Sequence, residues 1–159
     1  LANIYGVNSD SAIKAALYHD CGKYVSVEQL EREGYVFDEE AHNASKPVEH
    51  CYTGEVIARD VAFESDPEIL RAIRLHTTGG VNMTMLEKII FCADYIEEGR
   101  TTPGVERIRL KAAENIDEAM LMILDDTIKY LTDKNAVIDR RTIACREWLA
   151  KNIIKGDLH

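Results

Sequence analysis

Five polar side chains fall where helical spacing calls for apolar ones, and their types are those of metal ligands. Around Met85, the residues Leu86, Ile89, Ile90 and Ala93 define an apolar stripe, and Asp94 follows Ile90 four residues later on the same face. Ahead of a glycine-containing loop, Ile69, Ala72 and Ile73 set a second stripe that His76 continues. His50 shares a face with Gly54, Ile57 and Val61, His19 extends the face of Ala12, Ala15 and Ala16, and Asp20 extends that of Ile13, Ala16 and Leu17. A single inward histidine or aspartate is ordinarily a hydrogen-bonded core residue. Here three of the five histidines point inward together with two aspartates, from four separate helices. Carboxylates and neutral imidazoles converging in a helical core suit a cation, which offsets the buried charge and accepts the ring lone pairs. Nitrogen and oxygen donors without thiolate favour Fe, Mn, Zn, Co or Mg over a structural zinc site. His42, in a polar stretch, and His159 at the end read as solvated bystanders. Cys21, Cys51 and Cys92 lie one or two residues from these positions, but neighbours on a helix face different ways and cysteine is a good apolar filler. Glu97 and Glu98 read as an exposed acidic helix end.

The elements that must carry these residues are helices. Nearly every segment shows apolar residues at helical spacing and strict alternation is scarce, which predicts an all-α fold. Ser9 and Asp10 are placed to cap a helix to about Asp20 with Gly22 as a stop, and Ser26 with Gln29 forms a capping box for a short helix ended by Gly34. Asp38 starts another short helix, and Pro47 opens one to about Ala62. Asp66 caps a helix with Pro67 at its first position, reaching His76, and Thr77 to Asn82 is loop. Thr84 with Glu87 starts the helix to about Glu98, Gly99 to Gly104 breaks it, and three helices follow near Val105–Glu114, Asp117–Lys134 and Asp139–Ile154. Ala119, Met120, Met122 and Ile123 read as core or as a homodimer face. The chain has 159 residues, 46% hydrophobic and 30% charged, which suits one compact domain over 1–159 and excludes disorder or a fibrous repeat. The longest apolar run, Ala119 to Leu124, is too short for a bilayer span, and no export signal stands at the start. A net charge of −9 argues against a nucleic-acid partner, whereas a small anionic substrate needs local cations. The four cysteines form no C-x-x-C pair, which predicts reduced thiols in the cytoplasm.

The same residues carry a resemblance. Leu17-Tyr18-His19-Asp20-Cys21-Gly22-Lys23, His50 in Val-Glu-His, Arg74-Leu75-His76-Thr77 and Cys92-Ala93-Asp94 together resemble the H…HD…H…H…D series of HD-domain metal-dependent phosphohydrolases. Arg-Leu-His-Thr-Thr-Gly followed by Leu-Glu-Lys-Ile-Ile-Phe-Cys-Ala-Asp-Tyr-Ile-Glu-Glu-Gly-Arg is similar, more narrowly, to the bacterial YqeK family, and the similarity spans about Ile13 to Arg109. The resemblance implies a helical HD-domain bundle, a di-iron or related dinuclear site, and symmetrical hydrolysis of diadenosine tetraphosphate to two ADP; older descriptions of the family tie it to NAD metabolism. It assigns His19 and Asp94 to one metal and His50 and His76 to the other. The family series begins with a histidine on a helix upstream of the His-Asp pair. No histidine precedes His19, so that helix is expected ahead of Leu1.

Two metals held close together give a bridging hydroxide aimed at phosphorus, with no side-chain nucleophile, and Asp20 is the natural bridge because it has two carboxylate oxygens. Lys23 and Arg100 are the candidates for offsetting phosphate charge, and Thr77, Thr78, Gly79 and Gly80 for offering hydroxyls or amides to it. Two other readings remain open: the same chemistry on another nucleotide, and a metal-stabilised nucleotide-binding module without catalysis.

Overall fold

The computed structural model describes residues 1–156, and His159 lies outside them. Among the described residues all regular structure is helical, and no helix is long and apolar enough to cross a membrane. The helices are α1 (Ser9–Tyr18), α2 (Val27–Arg32), α3 (Glu39–His42), α4 (Glu49–Val56), α5 (Pro67–Leu75), α6 (Met85–Tyr95), α7 (Val105–Glu114), α8 (Ile116–Asp133) and α9 (Arg140–Gly156). Helix α5 is the centre of the first half, packing against α1, α4 and α6, and α8 is the centre of the second, packing against α6, α7 and α9.

Helix α6 joins two apolar clusters, because its buried residues face both ways. Leu86 and Ile90 meet Ala12 and Ala15 of α1 and Ile69, Ala72 and Ile73 of α5. Ile89, Phe91 and Cys92 meet Ile108, Met120, Ile123, Cys145 and Leu149 from α7, α8 and α9. A third cluster, with Val27, Ala41, Cys51 and Tyr52, seats α2 and α3 on α4. Ala119, Met120 and Ile123 are thus spent on the chain's own core, with Met122 at its edge.

Local signals set most of the starts. Ser26 with Gln29 and Thr84 with Glu87 both form reciprocal capping boxes, and Asp66 accepts from the Glu68 amide with Pro67 in the first turn. Five boundaries differ from expectation. Asn8, rather than Ser9 or Asp10, caps α1 by accepting from the Ser11 amide, and α1 ends at Tyr18, so His19 and Asp20 sit in a tight turn just past the helix. Pro47 lies in the turn before α4. The expected helix from Pro47 to Ala62 passes at Ile57–Val61 into a π-helical turn. Its wider winding takes the chain off the ideal 3.6-residue period, and Val61 is 53% exposed rather than inward. Helix α6 stops at Tyr95, short of Glu98, because Arg109 of α7 reaches back to donate to the Ile96, Glu97 and Arg100 carbonyls.

Candidate metal centre and substrate cavity

The turn after α1, helix α4, the end of α5 and the end of α6 bring His19, Asp20, His50, His76 and Asp94 into one cluster. Asp20 is at the middle and its two oxygens face different partners. Oδ1 lies 3.5 Å from His50 Nε2 and 3.7 Å from His76 Nε2, while Oδ2 lies 3.6 Å from His19 Nε2. His19 Nε2 is also 3.6 Å from Asp94 Oδ1, and the Nε2 atoms of His50 and His76 are 3.0 Å apart. The five residues form a continuous chain of close polar contacts around a partly open centre.

Two features fit this cluster to a cation. His19 and His76 each turn Nδ1 onto a backbone carbonyl, Ala16 and Ile73 respectively, at 2.7 Å. That contact fixes the ring and leaves Nε2 as the free donor, as outer hydrogen bonds do for ligating histidines. The electrostatics agree. His76 and Lys23 hold the Asp20 carboxyl well below the usual carboxylate range. Burial pushes the Asp94 carboxyl up, but His19 and the charges around it bring it below its ordinary value. In return Asp94 raises the His19 imidazole, and Asp20 raises His76 against the opposing effect of burial. Two ionised carboxylates thus face the imidazoles of His19 and His76, which they help to hold protonated where a cation would sit.

The approach of the turn to α4 is unusually close and explains Gly22. A Cβ there would lie 2.3 Å from the Gly54 amide nitrogen and 2.7 Å from the His50 carbonyl oxygen, both backbone atoms that could make room only if the turn and α4 moved apart. Glycine therefore lets Asp20 reach His50.

The remaining candidates divide. Lys23 pairs with Asp20 Oδ2 at 2.7 Å. Thr77 holds its hydroxyl 3.2 Å from His50 Nε2. Arg100 donates from Nη2 to the Asp94 carbonyl at 3.2 Å, lies 5.1 Å from the Tyr95 ring centre, and keeps Nε buried with no partner. Thr78 and Gly79 face away from the cluster: Thr78 is buried and donates to the Gly79 carbonyl, and the open side of Gly79 abuts Cys145 of α9. Their expected contact with phosphate is corrected on that ground, because a positive φ of 65° at Gly79 turns this part of the loop into the core. Gly80 likewise abuts Leu75 and is buried.

Cys51 was missed by sequence reasoning that treated it as filler. It is fully buried, and its Sγ lies 3.8 Å from His50 Nε2 and from His76 Nδ1, so that the three residues place donor atoms within 4.8 Å of one another. Burial pushes its thiol up, yet His50 and His76 outweigh this and bring it to about 6. The thiol lies on the His76 edge already committed to Ile73, behind the face that meets Asp20. Adjacency to His50 was the signal. Cys92 sits in the core of the second half, and Cys21 donates to the Gly54 carbonyl.

A cavity of about 820 Å³ opens from His76 and Asp94, between the end of α6 and the outer half of α8, with Thr77, Tyr95, Arg100 and Tyr130 among its walls.

Comparison with known proteins gives the same outline. The HD domain family profile matches residues 1–99. A symmetrical bis(5'-nucleosyl)-tetraphosphatase of Halalkalibacterium halodurans is 36% identical over 152 residues, 91% of this chain and 78% of that one. One of Bacillus subtilis with the same description is 34% identical, over 94% of this chain and 81% of that one. A crystal structure from Clostridium acetobutylicum, described as a predicted HD superfamily hydrolase involved in NAD metabolism, superposes with a TM-score of 0.86 at 39% identity, covering 95% of this chain and 82% of that one. With an HD profile over its first 99 residues and close likeness to these relatives along most of its length, the chain belongs to the HD domain family, in its YqeK branch.

Proposed function

We propose that this chain hydrolyses diadenosine tetraphosphate at its centre, releasing two ADP. The observation that carries the reading is Asp20, whose two oxygens are divided between the His50–His76 pair and the His19–Asp94 pair. HD-domain membership brings divalent-metal dependence. We assign two ions: His19 and Asp94 would hold one and His50 and His76 the other, with Asp20 available to both, and iron is the first candidate with Mn, Co, Zn or Mg as the others. When bound, such ions would supply positive charge to a phosphoryl oxygen and acidify the attacking water.

The chain's own groups position the substrate. Arg100, with an unfilled Nε and a donor on the Asp94 carbonyl, and Lys23, paired with Asp20 Oδ2, offset the polyphosphate charge. The Thr77 hydroxyl, on the His50 edge, donates to a phosphoryl oxygen. Water attacks an inner phosphorus, the bond to the central bridging oxygen breaks, and both products are nucleoside diphosphates. The relatives described as symmetrical tetraphosphatases supply the register of cleavage. All four cysteines are free thiols, which supports a reducing, cytoplasmic setting. The packing of α8 against α6 and of α9 against α8, around one shared core, supports treating the chain as one domain.

A second reading keeps the site and changes the nucleotide, favoured by the NAD-metabolism description of the Clostridium structure. Metal-loaded protein incubated with a panel of nucleotides, with products separated by chromatography, decides between them. Two ADP from diadenosine tetraphosphate is expected. ATP with AMP overturns the central cut, turnover of another nucleotide alone favours the second reading, and metal binding without any turnover points to a binding module.

A further inference from the structure

Arg100 follows Asp94 by six residues, a spacing that does not share a helical face. A continuous α6 would turn it away from the cluster, yet the local sequence favours continuation to about Glu98. The helix ends instead at Tyr95 and the chain folds back. In a further helical turn the Arg100 amide would donate to the Ile96 carbonyl. It donates to the Glu97 carbonyl at 3.0 Å, which tightens the turn. Arg100 Nη2 then reaches the Asp94 carbonyl at 3.2 Å, and its Nε is buried with no acceptor. The segment does little to hold itself in this shape, since Glu97, Glu98, Gly99 and residues 101–104 are exposed.

The hold comes from α7. Arg109 Nε donates to the Ile96 carbonyl at 3.0 Å, and its Nη2 to the Glu97 carbonyl at 2.5 Å and the Arg100 carbonyl at 3.0 Å. Its Nη1 pairs with Glu106 of its own helix at 2.5 Å. The Ile96 carbonyl is the acceptor that α6 would need for its next turn, and a planar guanidinium fork holds several such carbonyls at fixed spacing. The base of the fork is firm, because Ile108 and Ala112 of α7 are buried in the core shared with α6 and α8.

We infer that Arg109 is a positioning residue for Arg100: by taking the Ile96, Glu97 and Arg100 carbonyls it arrests α6 and sets the turn that keeps the Arg100 guanidinium on the Asp94 carbonyl, with Nε unfilled for a phosphoryl oxygen. The role rests on the reading of Arg100 as a phosphate-compensating group given above. Arg109 touches no substrate and acts only through the backbone of the segment that carries Arg100.

A double-mutant cycle on the metal-loaded chain tests this, with kcat/KM for diadenosine tetraphosphate measured in Arg109→Ala, in Arg100→Ala and in the pair. Arg109→Ala should lower kcat/KM by about tenfold, a part of what one charge-stabilising donor supplies, with metal content unchanged. Once Arg100 is already alanine, the same change should matter by less than about twofold. A merely structural role costs as much in both backgrounds, and that result would overturn the inference. Arg109→Gln keeps part of the stem and should give the same pattern if alanine unsettles the fold. Backbone chemical shifts supply a readout separate from turnover: Glu97 and Glu98 should move toward helical values in either variant, and unchanged shifts would count against the arrest of α6. If the dinucleotide is not cleaved at all, the hydrolase reading fails instead, and calorimetry with inorganic tripolyphosphate carries the same cycle. Tripolyphosphate affinity unchanged by Arg109→Ala would then overturn the positioning role.

Discussion

Asp20 carries more of the proposed chemistry than any other residue, because it has an oxygen for each side of the cluster. Asp20→Ala is expected to abolish hydrolysis and to lower bound metal together, read by product chromatography and elemental analysis of the same sample. Lys23→Ala and Arg100→Ala should leave metal content intact and lower kcat/KM by about 10²-fold, the scale of one charge-stabilising donor. The protons on the imidazoles give a second prediction. Asp94 raises the His19 pKa and Asp20 raises that of His76, while a cation takes only the neutral ring. Metal binding must therefore release protons, and affinity should climb with pH until those raised values are passed. Calorimetry in buffers of different ionisation enthalpy measures the protons released; none released near neutral pH would contradict the assignment. At this scale the sequence was informative where residue type clashed with an apolar stripe, as at His76 and Asp94. It was silent on direction within loops. Thr78 and Gly79 have the composition of a phosphate contact, and only the positive φ at Gly79 shows that they turn to the core.

Among the elements, the junction of the post-α1 turn with α4 sets how near Asp20 comes to His50. Gly22→Ala should push Gly54 and His50 away, costing about 1–3 kcal/mol in urea unfolding as overpacked sites do, and weakening metal retention disproportionately. Gly34→Ala tests a glycine where no neighbour lies within 4 Å of the added carbon; its φ of 96° strains the backbone, but metal retention should be unaffected. Glu87 has two roles at the start of α6. It closes the capping box on the Thr84 amide at 2.9 Å and receives Arg71 Nη1 at 2.6 Å and 2.8 Å while only 1% exposed. Glu87→Ala removes the cap but leaves Arg71, whose side chain is 42% exposed, open to water, and should cost about 1–2 kcal/mol, against far less for an exposed pair such as Lys129–Asp133. The capping boxes were legible because they are local. The π-helical turn at Ile57–Val61 and the early end of α6 were not, since the latter depends on Arg109 from another helix.

For the whole molecule, the cluster joins four segments that are far apart in sequence, from His19 to Asp94. Metal should bind the folded chain and not the unfolded one, so at a hundredfold excess over Kd it adds about 2.7 kcal/mol. Thermal unfolding should then move upward by roughly 5–10 °C for a chain of this size, and a chelator should reverse the shift. A midpoint insensitive to metal would mean that the cluster does not hold it. The all-helical architecture was legible from apolar spacing alone, but the cavity was not, because it arises only where α8 faces the end of α6. All five cluster residues fall inside the stretch matched by the HD profile, whereas Asp126 and Tyr130 of the opposite wall fall beyond it. The cluster and the α8 wall of the cavity therefore lie on different lengths of chain, so substitutions on the cavity side of α8 that spare its core residues can change what the cavity admits while leaving the five cluster residues in place.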